Sequence, residues 1–172
     1  MAPLTDEQLR IQSYLQAQGG KLSPADIIGK VRVAMEEVRA ALFSVKADQF
    51  NRRPEGDEWS ANEVISHVVS AGAHFGNGIV RVLDGAAAEP AVADRIEGGV
   101  PARSAEIWWD LLVRDREALF TRVLRADPNA HPDRVIAHPM FGSLNWREAL
   151  LFLRLHDLDH AGQLRKIAER LA

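Results

Sequence analysis

Residues 145–171 read NWREALLFLRLHDLDHAGQLRKIAERL, and this stretch decides the fold. Asn145 and Glu148 stand at the two positions of a capping box, so a helix is expected to open there. Leu150, Leu153, Leu164, Ile167 and Leu171 then recur at helical spacing and mark one apolar stripe. At 100° per residue His160 falls in the middle of that stripe, with His156 about 40° away and Gln163 about 20° beyond it. Two imidazoles and an amide therefore point at a core. Left without partners there, each would cost on the order of 1–3 kcal/mol, so something inside the fold has to satisfy them.

The same helical period runs outward through the chain, and the alternation expected of strands is missing, which predicts an all-α protein. A short leading helix is expected from Thr5, capped with Gln8, to the Gly19-Gly20 pair as its stop. Ser23 and Pro24 open the next helix, whose stripe is Ile27, Val31, Met35, Val38, Ala41 and Leu42, ending near Val45. The polar segment 51–58, NRRPEGDE, breaks the chain before Ser60 and Glu63 form another capping box, with Trp59 and Val64 at hydrophobic-staple positions. That helix runs to Leu83. A segment rich in Ala, Gly and Pro from Gly85 to Arg103 reads as either a lid or a crossover. Another helix is expected from Ser104 to about Ala126, followed by a loop through His131 and His138. Four helices of roughly 20–25 residues span about 30–37 Å each and can lie side by side as a four-helix bundle. The domain division expected is 1–22 as an N-terminal helical extension and 23–172 as the bundle.

Composition narrows the chemistry. The chain has 172 residues, 21 Lys plus Arg against 24 Asp plus Glu, and a formal charge of −3, which offers no footprint for nucleic acid or an anionic membrane. It has no cysteine, so histidine or carboxylate must carry any metal and any thiolate must come from a substrate. No signal-like N-terminus and no apolar run of about 18 residues is present, which predicts a cytoplasmic location.

His156 and His160 are spaced i, i+4, so both rings can reach one ion at about 2.0–2.1 Å. A hydrogen-bonded core network is the alternative reading of the pair. Asp157 and Asp159 could both be solvated surface charges: Asp159 is expected to contact either solvent or the groups around the metal ligands, and Asp157 is expected to be external. A metal needs at least one more ligand, and His67 in the stretch 59–69, WSANEVISHVV, is the best candidate, since the cap and the staple already account for Trp59, Ser60 and Glu63. Glu63 is a cap first and a possible partner of His67 one turn away. His74 shares the face of His67 but lies about 10 Å along the axis, which makes it pocket lining or surface. A solvent or turn role is expected of His131 and His138, and packing of Trp108, Trp109 and Trp146, one of which could wall a pocket. No residue is singled out as a general base, and the catalytic residues stay open.

Three blocks in order, WSANEVISHVV at 59–69, HPMFGSLNWREAL at 138–150 and LHDLDHAGQLRKI at 155–167, resemble the DinB-like superfamily of four-helix-bundle metalloproteins over about residues 24–172. The resemblance implies an up-down-down-up bundle, with the leading helix outside the common core and no room after Ala172 for the extra domain of some relatives. It implies a divalent metal, zinc or nickel, on His67, His156 and His160, with Glu63, His74 and Gln163 around the site. It also implies a homodimer and, by analogy with members of known activity, a thiol S-transferase or hydrolase acting on a small molecule with a low-molecular-weight thiol. A non-enzymatic metal-binding or stress-related bundle is the alternative.

Overall fold

A computed structural model describes residues 4–87 and 99–172. Among the described residues five helices carry the architecture: α1 (Asp6–Lys21), α2 (Pro24–Leu42), α3 (Ala61–Leu83), α4 (Ala105–Leu124) and α5 (Trp146–Arg170), with a 3₁₀ turn at Ala47–Gln49. Local chemistry sets their starts. Thr5 with Gln8, Ser23 with Asp26, Ser60 with Glu63 and Asn145 with Glu148 each form a reciprocal capping box, and the Ser104 hydroxyl accepts from the Ile107 amide.

Cross-helix contacts fix the directions. Arg147 reaches the Leu22 carbonyl and Arg165 reaches Glu37, so α2 and α5 run parallel. Gly72 meets Arg116 and Gly76 meets Leu119, so α3 and α4 are parallel too. Phe75 packs on Phe152 while His67 meets His156, which makes α3 and α5 antiparallel, and Arg32 with Glu117 and Arg39 over Trp109 set α2 against α4 in the same sense. The result is an up-down-down-up four-helix bundle. Its core includes Val31, Val38, Ile65, Val68, Leu112, Phe120, Leu150, Leu153 and Leu164, all essentially buried. None of the described helices is long and apolar enough to cross a membrane.

Two features differ from the sequence expectations. Helix α1 does not stop at the Gly19-Gly20 pair but continues to Lys21, because Gly19 serves a close approach instead of a break: a Cβ there would lie 3.0 Å from Cγ of Glu148 and 3.4 Å from its backbone. The helix docks on α5, with Leu15 fully buried, Arg154 donating to the Tyr14 hydroxyl at 3.3 Å and Gln12 donating to the Phe141 carbonyl at 3.0 Å. The loop before α5 holds a small antiparallel hairpin, β1 (Ile136–His138) and β2 (Gly142–Leu144), with Ile136 opposite Leu144. Both of those side chains are buried, and Gly142, at φ 74°, supplies the left-handed conformation the turn requires. Of the segment read as a lid or crossover, residues 88–98 lie outside the described residues.

The two neighbouring glycines of α1 should respond oppositely to substitution. Gly20→Ala, with no atom within 4 Å of the added Cβ, is expected to stabilise by about 0.5–1 kcal/mol through helix propensity. Gly19→Leu has to displace Glu148 and is expected to destabilise by about 1–3 kcal/mol. Thermal unfolding of the two variants checks both signs.

Candidate metal centre

Helix α3 contributes His67 and α5 contributes His156 and His160, and one ring nitrogen from each falls within 4.8 Å of the others. The Nε2 atoms of His67 and His156 are 3.0 Å apart, and ring centroids are 5.1 Å (His67–His156), 4.8 Å (His67–His160) and 4.5 Å (His156–His160) apart. Metal–nitrogen bonds of about 2.0–2.1 Å place neighbouring ligand nitrogens about 2.9–3.4 Å apart in octahedral or tetrahedral geometry. The His67–His156 separation already lies in that range. Without a cation, two Nε2 atoms at 3.0 Å hold together only if one carries the proton and the other accepts it; a metal ion between them satisfies both lone pairs at once.

The surroundings orient the rings. Gln163 Oε1 is 2.9 Å from Nδ1 of His160, and since an amide oxygen only accepts, Nδ1 carries the proton and Nε2 keeps its lone pair. The indole of Trp59 packs on His67 with centroids 5.3 Å apart, and Phe152 lies 5.7 Å from His156. Burial is partial by design of the bundle: His67 is 8% exposed, whereas His156 and His160 are half-buried. Three imidazoles in a mostly apolar wall form a donor set that fits a first-row divalent cation. Trp59 and Gln163, which touch His67 and His160, also line an open groove of about 400 Å³ that runs on past Asp57, Glu58, Lys166 and Arg170; the three histidines are not in its lining.

Other residues named from the sequence fall elsewhere. Glu63 is not among the converging nitrogens: it accepts from Arg53 Nε at 3.0 Å and from the Ser60 amide at 2.8 Å, so it serves the cap. His74 sits two turns beyond His67 and meets Phe75 edge-on, outside the trio. Of the two places open to Asp159, it takes the solvent-exposed one.

Asp157 is the main correction. It is not external but fully buried, with Arg116 Nη2 donating to its Oδ1 at 2.8 Å, and Arg116 is itself only 2% exposed. Counted from Leu153 and Leu164, Asp157 lies within about 40° and about 20° of them, on the apolar stripe, and that angle was the available signal. His138 is likewise buried instead of solvated, at 5% exposure, stacked between Phe75 and Phe141 with centroids at 5.2 and 4.7 Å. Its Nδ1 accepts from the amides of Met140 and Phe141 at 3.1 and 3.2 Å, because the hairpin turns the ring inward. The indole N–H of Trp108 donates to Asn62 and that of Trp146 to the Ala130 carbonyl, so both rings are packing elements with their polar edges satisfied.

A model of the DinB superfamily matches residues 1–164. The crystal structure of TT2238, a four-helix bundle protein, is similar with a TM-score of 0.64 and 20% identity, over 84% of this chain and 99% of that one. YfiT from Bacillus subtilis, a probable metal-dependent hydrolase with an unusual four-helix bundle topology, is similar with a TM-score of 0.69 and 13% identity, over 86% of this chain and 87% of that one. At these identities the likeness to the two structures carries the fold alone. No curated protein sequence matches the chain.

One pH prediction arises at the α3 cap. The Arg53 guanidinium, together with Ser60, holds the Glu63 carboxyl below its ordinary value of 4.5, against the opposing effect of partial burial. A carboxyl depressed on folding contributes stability that is present above its ordinary value and is lost as pH falls through the lower folded value. Glu63→Gln is therefore expected to lower stability near neutral pH by up to about 1 kcal/mol and to flatten the loss of thermal stability below pH 4.5. Melting curves across the acid limb, with and without the substitution, measure the difference.

Proposed function

The chain belongs to the DinB superfamily, and we propose that it is a metal-dependent enzyme of small-molecule metabolism or detoxification, a thiol S-transferase or hydrolase working through His67, His156 and His160. The observation that carries this reading is the convergence of three imidazoles from two helices beside an open groove. Zinc and nickel are the ions proposed, since neutral imidazoles suit both. When bound, such an ion would supply Lewis acidity, strengthening the acidity of a thiol or water at neutral pH.

The protein's own groups account for the rest. His67, His156 and His160 would hold the ion, and Gln163 keeps the His160 proton on Nδ1 so that Nε2 carries the lone pair a metal needs. Trp59 covers one face of His67 and limits water there. A thiol substrate is favoured over water by what the nearby carboxylates are already doing. Glu63 is held by Arg53 and Ser60, Asp157 by Arg116, and Glu58 in the groove by Arg170, so none of these three is placed to take a proton from an attacking group. A thiol starts from a pKa of about 8.5 and water from about 15.7, so the thiol needs far less help. With no cysteine in the chain, that thiol would be a cosubstrate. A cytoplasmic homodimer without nucleic-acid or membrane partners completes the reading.

Elemental analysis of the purified protein tests the centre. Near one equivalent of divalent metal is expected, abolished in His156→Ala and His160→Ala and severely weakened in His67→Ala. Full retention by all three variants rejects the site. In cobalt-substituted protein a small thiol is expected to shift the visible absorption, as an open coordination position requires. A spectrum indifferent to thiols would instead mark a closed ion in a non-enzymatic bundle.

A further inference from the structure

The Arg116–Asp157 pair is hard to explain as a stabiliser. Both side chains are removed from water, at 2% and 0% exposure, and joined by a single hydrogen bond of 2.8 Å between Nη2 and Oδ1. Nε and Nη1 of Arg116 and Oδ2 of Asp157 are buried without a hydrogen-bond partner. A buried pair so incompletely satisfied repays little of its desolvation, and apolar residues of similar size commonly do as well or better. The bundle nevertheless makes space for it: a Cβ on Gly72 would come within 3.1 Å of Arg116 Nη2, so the guanidinium lies close against α3 at a residue without a side chain.

The position of the carboxylate supplies a purpose. Oδ1 of Asp157 lies 3.8 Å from Nδ1 of His156, and that nitrogen is buried with no hydrogen-bond partner. The other α5 ligand has an acceptor on the same ring atom, Gln163 Oε1 at 2.9 Å from Nδ1 of His160. Hydrogen bonding needs this 3.8 Å separation to close by about 0.6 Å, a shift for which the soft terminal torsion of a carboxylate gives scope. We propose that Asp157, held across the bundle by Arg116, is the positioning residue for His156: it accepts the Nδ1 proton and thereby fixes the ring with its Nε2 lone pair directed at His67 and the metal. The inference rests on the metal-centre reading above. Gln163 and Asp157 then perform the same task for the two histidines one turn apart, the amide for His160 and the carboxylate for His156.

Two measurements test it, neither requiring a known substrate. In the metal-free wild-type protein, two-bond proton–nitrogen NMR correlations are expected to show His156 as the Nδ1–H tautomer; an Nε2–H tautomer overturns the inference. The double variant Arg116→Met/Asp157→Leu removes the acceptor while leaving an apolar, similarly sized pair, so it is expected to fold with thermal stability near or above that of the wild type. Its affinity for cobalt, measured by competition with a chelator, is expected to fall about 10- to 100-fold. Asp157→Asn, which keeps an acceptor oxygen, is expected to recover part of that loss. Wild-type affinity in the folded double variant shows the pair to be structural packing only and overturns the inference while leaving the metal centre standing. A wild-type protein that takes up no cobalt overturns both.

Discussion

Helix α5 has to be apolar enough to be enclosed by its neighbours and polar enough to present two imidazoles to the inside. It packs against α1, α2, α3 and β2, so nearly every side of it is covered by protein. Leu150, Leu151, Leu153, Leu164 and Ile167 supply the burial, which at about 25 cal/mol per Å² of apolar surface is the largest contribution the helix makes to stability. Interrupting this surface with His156, Asp157 and His160 is tolerable only because each finds a partner: His67 and Arg116 reach in from α3 and α4, and Gln163 lies one turn along α5 itself. The polar cluster and the hydrophobic core are thus one packing solution, and the candidate site is as rigid as the core around it.

This arrangement explains why the site sits where α3 and α5 cross in opposite directions. Opposed helices bring His67, near the start of α3, level with the middle of α5. Trp59, just ahead of α3, then closes over the ring from outside the helix. The capping box at Ser60 fixes the angle at which the chain enters α3, and with it the position of that indole.

Much of this was legible in the residues. Caps and stripes located each described helix within a few positions, and the i, i+4 pair on an apolar face identified His156 and His160 before any tertiary contact was known. What periodicity could not supply was the identity of the neighbour on each side. Asp157 was judged from its angle to His156 and from its charge, whereas its environment is set by Arg116 on the diagonally opposite helix, a pairing of 41 residues' separation with no local signature. The hairpin escaped notice because two three-residue strands are too short to show alternation, and with it went the burial of His138, of whose two expected roles only the turn one is found. Gly19 looked like punctuation because a close helix approach and a helix stop both favour a residue without a side chain.

The parallel pairing of α2 with α5 also bears on how the molecule assembles. Arg165 meets Glu37 across 128 residues of chain, and Arg147 meets Leu22 across 125, so these neighbours are separated by the whole of α3 and α4 instead of being joined by the tight hairpin of a simple up-and-down bundle. Such topology raises contact order, and refolding should be slow for a helical protein of this size. The half-site of His156 and His160 can form with its own helix, but His67 reaches it only once α3 and α5 have docked. The three-nitrogen set proposed to hold an ion is therefore completed only as assembly closes, and a nascent or partly melted chain would hold such an ion loosely.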